Sequence, residues 1–124
     1  MLKIEEGVIY LTRGDDAVID VQVTNIAGED YTMQTGDTLT MTVRDVPDSG
    51  SPVILAVTSA KGEARIIIDG DETAEINPGQ YSADIQLNTQ DGKRYTIWPE
   101  LEGASRYKVS NFKNFVIMPD VTDA

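Results

Sequence analysis

The side chains most suited to binding a metal ion lie between residues 69 and 72, where three carboxylates flank one glycine. Calcium takes about six to eight oxygen ligands, and closely spaced carboxylates can supply several of them. An EF-hand loop, however, would have Asp or Asn where Thr73 stands and Gly where Ala74 stands. The pattern therefore favours a solvated acidic turn before a helical turn at Glu72 to Ile76. The weak metal candidates are Asp69, Asp71 and Glu72.

Catalysis by carboxylates alone is the enzyme chemistry that the composition leaves open. Glycoside cleavage needs a suitably separated pair of acids, and a chain with 21 Asp and Glu residues always contains such pairs. The absence of His and Cys removes the common general base, the thiol nucleophile, disulfides and Cys-based zinc sites. With one Trp, five Tyr and two Phe, few aromatic side chains could line a cleft. The sequence therefore predicts a protein that is not an enzyme, with no catalytic residue, cofactor or resident metal.

Arg13-Gly14-Asp15 spells a tripeptide known from cell-adhesion ligands. An Arg and a carboxylate on either side of a glycine turn can clamp a receptor. The tripeptide lies between two predicted strands, however, where Gly14 allows a sharp turn and Asp15 accepts hydrogen bonds from turn amides. We interpret it as a turn between strands.

The acidic charge bears on which partners the chain can bind. There are 10 Lys and Arg residues against 21 Asp and Glu residues, which gives a formal charge of −11. This charge repels phosphate backbones and anionic lipid, so we expect no nucleic-acid partner and no membrane partner. No apolar run approaches the ~20 residues of a membrane helix, and the first residues lack the apolar stretch of a signal peptide. We expect a soluble protein made in the cytoplasm.

Apolar and polar residues alternate in segment after segment, with the period of two that a half-buried strand requires. About seven or eight such segments, separated by turn residues, predict an all-β antiparallel sandwich. The 124 residues fit one domain, which we place at 1–119, followed by a short acidic tail at 120–124. The last predicted segment contains a break near Asn111. The predicted strands are Val8 to Thr12, Ile19 to Val23, Leu39 to Val43, Val53 to Thr58, Ala64 to Ile68, Tyr81 to Leu87, Lys93 to Trp98 and Tyr107 to Met118.

Two turn signals help to connect the strands. Asp91-Gly92 separates two predicted strands and suits a tight hairpin, because such turns need residues that accept a positive φ. Tyr81 enters a strand directly after Asn77-Pro78-Gly79, where its hydroxyl can return to an upstream backbone group, as in the tyrosine corner of immunoglobulin-like sandwiches. This segment predicts Greek-key connections around Tyr81. The longest connection, Asn25 to Asp37, has no assigned role.

Six segments follow one another in a distinctive order and spacing: Leu11 to Asp16, Thr35 to Arg44, Asp71 to Ala74, Pro78 to Leu87, Asp91 to Pro99 and Phe115 to Thr122. Together they resemble the N-terminal domain of baseplate upper proteins, which belong to tailed phages and prophages of Gram-positive bacteria. The likeness covers nearly the whole chain and lies in the succession of turn-plus-strand units.

The resemblance implies an immunoglobulin-like β-sandwich that docks onto neighbouring tail proteins and carries or supports a host-recognition appendage. It implies no catalysis and a location in the virion tail. We also expect a homo-oligomer within the assembly, formed through exposed edge strands. An alternative function is carbohydrate or cell-surface binding, for which Trp98, Tyr95 and Tyr31 are the stacking candidates.

Overall fold

A computed structural model describes residues 2–5, 7–24, 29–46, 50–99 and 113–120. Within these ranges the chain forms nine strands and one short helix, so the predicted all-β fold is confirmed. In chain order the elements are β1 (Leu2–Glu5), β2 (Val8–Thr12), β3 (Ala17–Asp20), β4 (Thr38–Arg44), β5 (Val53–Thr58), β6 (Arg65–Ile68), α1 (Gly70–Thr73), β7 (Gly79–Asn88), β8 (Arg94–Trp98) and β9 (Phe115–Met118).

The strands form two sheets around one core. The larger sheet has the order β1-β2-β9-β7-β4-β5, with β8 also paired to β7, and the smaller sheet consists of β3 and β6. Every strand pair is antiparallel except β2 with β9, which is parallel. The sandwich is confirmed, but its larger sheet is mixed rather than purely antiparallel. The alternation within a strand indicates which face is buried and not which strand will lie beside it, so the parallel pair could not be predicted.

The strand order is that of an immunoglobulin-like sandwich. Strands β9, β7, β4 and β5 lie in the order of strands G, F, C and C′ of a variable-type domain, while β3 and β6 take the places of B and E. The connections from β3 to β4, from β5 to β6 and from β6 to β7 each pass from one sheet to the other. Connections of this kind between sheets are those that a Greek-key sandwich makes.

Side-chain burial follows the period of two. In β4 the side chains of Leu39, Met41 and Val43 are buried, and the residues between them are only partly covered. In β6 Ile66 and Ile68 are buried in the same way. Burying such side chains stabilises the fold by about 1.5–3 kcal/mol each. The other buried apolar residues are Ile9, Leu11, Ala17, Ile19, Val23, Leu55, Val57, Tyr81, Ala83, Ile85, Leu87, Phe115 and Ile117.

Strand β3 begins at Ala17 and ends at Asp20, whereas the predicted strand runs from Ile19 to Val23. Past that point Val21 still donates its N–H to the Ala64 carbonyl at 2.9 Å, and the Val23 carbonyl accepts from the Tyr31 N–H at 2.8 Å. Val23 is buried although it lies outside a strand. The alternation therefore predicts the burial of this stretch correctly. The strand ends because the backbone partner changes from Ala64 at Val21 to Tyr31 at Val23.

The remaining strand predictions are close to the structure. β2 and β5 have the predicted bounds, and β4, β6, β7 and β8 agree within two residues at each end. β1 was not predicted, since its four residues precede the first turn and show only two apolar positions. The last strand is β9, and the predicted residues 107–112 lie outside the described residues. Residues 25–28 of the long connection and 121–124 of the acidic tail lie outside them as well.

Candidate functional site

The three weak metal candidates surround the start of helix α1. The Asp69 side chain accepts the N–H of Asp71 at 3.3 Å, and the Glu72 side chain accepts the N–H of Asp69 at 3.3 Å. This is a capping box, so the helix begins at Gly70 rather than at Glu72 as predicted. Within the described ranges, no group of three or more Asp or Glu side chains is arranged to hold a metal ion. The acidic run is therefore explained by helix capping.

The Arg13-Gly14-Asp15 tripeptide forms the turn between β2 and β3 and packs against the same helix. Gly14 has a φ of 85°, and its N–H donates to the buried Thr73 hydroxyl at 2.9 Å. The Gly70 N–H donates to the Asp16 carboxylate at 2.7 Å. A Cβ atom at Gly70 would lie 2.2 Å from the Gly14 carbonyl oxygen, so the two segments are in close contact. The turn interpretation fits this contact.

A polar cluster at one end of the sandwich is centred on Asp37, whose side chain is fully buried. One carboxylate oxygen accepts the Tyr31 hydroxyl at 2.5 Å and the Gln34 N–H at 2.8 Å, and the other accepts the Gln90 N–H at 2.9 Å. The Asp37 carbonyl also accepts the Gly62 N–H at 2.7 Å. We call this set of contacts the Asp37 junction. It ties the connection before β4 to the turns that follow β5 and β7.

The hydrogen bonds of the Asp37 junction shift two pKa values in opposite directions. The hydrogen bond from Tyr31, followed by those from the Gln34 and Gln90 amides, lowers the pKa of Asp37 even though burial opposes this shift. The same hydrogen bond is the main reason why the pKa of Tyr31 is raised, with smaller contributions from burial and nearby groups. The junction therefore favours a charged carboxylate beside a neutral phenol.

The aromatic stacking candidates do not form one platform. Tyr31 is partly buried, and its hydroxyl is held by Asp37. Tyr95 is 51% exposed. Trp98 packs partly against the core. Only Tyr95 of the three therefore offers most of its side chain to solvent.

Trp98 lines an open groove of about 190 Å³ between the two sheets. Its walls are mainly apolar and include Ile4, Ile19 and Ile85. Ligand pockets usually enclose about 300–1,000 Å³, so this groove is small for a substrate. Its one carboxylate, Asp20, forms an exposed ion pair with Arg65 at 2.8 Å. The groove thus lacks the paired acids that a carboxylate-only hydrolase would need.

Asn114 closes a gap in the ladder along β7. On the side away from β4, β8 pairs with residues 85–88 of β7 and β9 pairs with residues 79–81. Between them, the Asn114 side chain accepts the Ala83 N–H at 2.7 Å and donates to the Ala83 carbonyl at 2.8 Å. Asn114 is 2% exposed, so its amide replaces a backbone partner inside the protein. This role has no local signature in the sequence, because it depends on a pairing 31 residues away.

The predicted tyrosine corner is present on the same strand. The Tyr81 hydroxyl donates to the Asn77 carbonyl at 2.5 Å, and the Tyr81 carbonyl accepts the Asn114 N–H at 3.1 Å. Tyr81 is itself buried. The corner therefore fixes the entry of β7 into the sheet, as the sequence predicted.

Strand β5 borders the larger sheet and pairs only with β4 within the described residues. Its six residues include no charged side chain, and Val53 is 49% exposed. We call the side of β5 that faces away from β4 the β5 edge. The other strands with one unpaired side in the described ranges all contain charge: Lys3 in β1, Asp20 in β3, Arg65 in β6 and Arg94 in β8.

Charged side chains on border strands oppose pairing with other chains, and β5 lacks that protection. A bulge between β4 and β5 lies near the start of β5, and the register is regular from Leu55 to Thr58. The β5 edge is therefore the described part of the chain best suited to accept another strand.

No family model, no curated protein and no solved structure matches this chain. None of the helices in the described part of the chain is long and apolar enough to span a membrane.

Proposed function

We propose that the protein is a non-enzymatic assembly component of a phage or prophage tail baseplate. In this role it docks onto neighbouring tail proteins and carries or supports a host-recognition appendage. The proposal draws on the resemblance of six ordered segments to baseplate upper proteins and on a sandwich with an uncharged border strand. A protein of this kind acts through its surface, and its interior serves to hold that surface rigid.

The observation that carries the proposal is the β5 edge. Proteins usually protect border strands with charge, proline or bulges, because unpaired backbone groups recruit other strands. In a chain with 31 charged residues among 124, a border strand of six uncharged residues is the exception. Strand addition at such an edge gives affinity through backbone hydrogen bonds.

The net charge of −11 constrains the proteins that can dock here. A partner with a basic surface would gain from long-range attraction, whereas a second acidic surface would be repelled. At physiological salt such attraction is screened beyond about 8 Å. We therefore expect a tail-protein partner with a basic or neutral docking surface, and weaker binding at high salt if that surface is basic.

The test is reconstitution with the purified products of the genes on either side of this one. We expect at least one structural tail protein among them to form a complex that survives size-exclusion chromatography. The complex should dissociate more readily as salt rises if the partner surface is basic. Neighbouring genes unrelated to tails, or tail proteins that do not bind at about 100 μM, a concentration that detects even weak contacts, would overturn the proposal.

A second candidate function, carbohydrate or cell-surface binding, is favoured by the exposure of Tyr95. Exposed tyrosine faces can stack on sugar rings. A glycan array probed with the protein and with Tyr95→Ala tests it. Binding that is lost in the variant would favour this function, and the absence of any bound glycan would exclude it.

A further inference from the structure

The residues of β5 that hydrogen-bond to β4 determine which backbone groups point outward at the β5 edge. The Ser59 N–H donates to the Leu39 carbonyl at 2.7 Å, directly beyond the Thr40–Thr58 pair. In an antiparallel ladder, residues alternate between bonding to the neighbour and pointing away from it. Leu55, Val57 and Ser59 therefore bond toward β4. Ala56 and Thr58 direct their N–H and carbonyl groups outward, away from β4.

These outward-pointing backbone groups allow two copies of β5 to pair about a two-fold axis. If a second β5 runs antiparallel along the edge with Val57 on the axis, Ala56 of each copy lies opposite Thr58 of the other. Both residues then exchange backbone hydrogen bonds, as a hydrogen-bonded antiparallel pair requires. The side chains of Ala56 and Thr58 are exposed on the outer face of the sheet, while Val57 remains in the core.

The charges near the two ends of β5 also suit a second copy. Lys61 lies just beyond the C-terminal end of β5, and Asp45 follows the β4 residue that pairs with Val53 at the other end. Both side chains are exposed. Antiparallel pairing brings the Lys61 end of one copy toward the Asp45 end of the other. The contact thus has an uncharged centre, and at its ends Lys61 approaches Asp45 of the other copy, beside which Arg44 and Lys113 also lie.

We propose that two copies of this chain associate through antiparallel pairing of their β5 strands, which joins their larger sheets into one sheet. Closed two-fold contacts of this kind are the commonest form of homo-oligomer. The inference rests on the proposed function, because the second copy is the strand that pairs with the β5 edge and neighbouring tail proteins dock onto the resulting dimer. Its test uses the chain alone, so a missing dimer and a missing tail complex are separate results.

Sedimentation equilibrium over a wide range of protein concentration is the test. The wild-type chain should show a monomer–dimer equilibrium. Ala56→Pro removes an outward N–H at a border position where proline is tolerated, and it should leave only monomer. Its melting temperature should stay close to that of the wild type, because the bonds to β4 come from the neighbouring residues.

A second pair of variants keeps the inference testable if Ala56→Pro does not fold. Thr58→Lys places two like charges near the proposed two-fold axis and should raise the dimer dissociation constant at least about tenfold. Thr96→Lys adds the same charge at an exposed position on β8 and should change it by less than about twofold. A wild-type chain that stays monomeric at about 1 mM, or a Thr58→Lys dimer as tight as the Thr96→Lys dimer, would overturn the inference.

Discussion

Backbone polar groups are hydrogen-bonded within the protein at the Asp37 junction, whereas at the β5 edge they point away from it. At the junction, the buried Asp37 carboxylate accepts hydrogen bonds from two backbone N–H groups and a phenol hydroxyl. The backbone carbonyl of Asp37 accepts a third N–H. At the edge, Ala56 and Thr58 direct their backbone groups away from the protein. The two regions are neighbours in the chain, because the turn at Gly62 that contacts Asp37 follows β5. The difference indicates that polar side chains close the ends of this sandwich and leave one border open.

The same closure occurs at Asn114, where a side-chain amide fills the gap between β8 and β9. Both places use a buried polar side chain to satisfy backbone groups that no strand reaches. Within the described residues, every buried side-chain nitrogen and oxygen has a hydrogen-bond partner. Against that background, a border strand without charged side chains is unusual and invites a functional explanation.

The largest effect should come from Asp37→Ala. The variant leaves the Gln34 and Gln90 amides and the Tyr31 hydroxyl without their common acceptor, so the connection before β4 loses its link to the turn after β7. The bond from the Gly62 N–H to the Asp37 backbone carbonyl remains. We expect the melting temperature to fall by about 10 °C or more in a thermal unfolding experiment. Glu63→Ala, which removes an exposed carboxylate, should change it by less than about 2 °C. Equal effects of the two substitutions would show that the junction does not hold this end together.

Asn114→Ala should have the next largest effect. It leaves the Ala83 N–H and carbonyl buried without a partner, and each such group destabilises a fold by about 1–3 kcal/mol. We expect a loss of about 3 kcal/mol in the free energy of unfolding, measured by urea titration. Asn88→Ala, on the partly exposed outer face, is the matched control and should lose about 0.5 kcal/mol. A loss of unfolding free energy as small as that of the control would mean that another group can bond to the Ala83 N–H and carbonyl.

The acid sensitivity of the fold should depend on Tyr31. Because the folded-state pKa of Asp37 is lowered, its stabilisation is present above the unfolded pKa of about 3.9 and is lost as pH falls through the folded pKa. Tyr31→Phe removes the main cause of that lowering, so the midpoint of acid unfolding should move to higher pH. Circular dichroism between pH 2 and pH 6 measures it, with about 0.5 pH unit as the expected shift.

Tyr10→Phe is the control for this prediction, since Tyr10 lies in β2 and does not belong to the Asp37 junction. It should leave the acid midpoint in place. At alkaline pH the sign reverses, because the raised pKa of Tyr31 means that its contribution is present below about pH 10 and is lost above the folded pKa. Identical acid midpoints for wild type and Tyr31→Phe would contradict the assigned hydrogen bond.

The smallest effect should be a gain in stability from Asp84→Asn. Partial burial raises the pKa of Asp84, and the charge of Arg44 only partly opposes this shift. Folding is therefore penalised as pH rises from the unfolded to the folded pKa, and the penalty persists at pH 7. The variant should be slightly more stable than the wild type at pH 7 and equal to it at pH 3, measured by urea unfolding. A variant that is less stable at pH 7 would show that the attraction to Arg44 outweighs burial.

The parts of the fold that could be predicted from sequence are those encoded in local patterns. Alternation placed β2, β4 and β5, and the glycine of Asp91-Gly92 has the expected positive φ, 88° at Gly92. Tyr81 could be assigned because its corner partner, Asn77, lies only four residues upstream.

The contacts that could not be predicted join residues far apart in sequence. Asp37 meets Gln90 53 residues later, and Asn114 meets Ala83 31 residues earlier, so neither role has a local signature. The parallel neighbour of β2 is likewise set by the final strand of the described chain. The β5 edge could be predicted only in part. Its lack of charge is visible in the sequence, but its position at the border of the sheet is known only from the topology.

Amide hydrogen exchange at Ala56, Val57 and Thr58 tests most directly whether the β5 edge pairs with another strand. The Val57 amide, which bonds to β4, should be protected at every protein concentration. The Ala56 and Thr58 amides should exchange rapidly in dilute solution, and their protection should rise with concentration as dimers form. Ala56 and Thr58 amides that exchange rapidly at all concentrations, beside a protected Val57, would contradict the account.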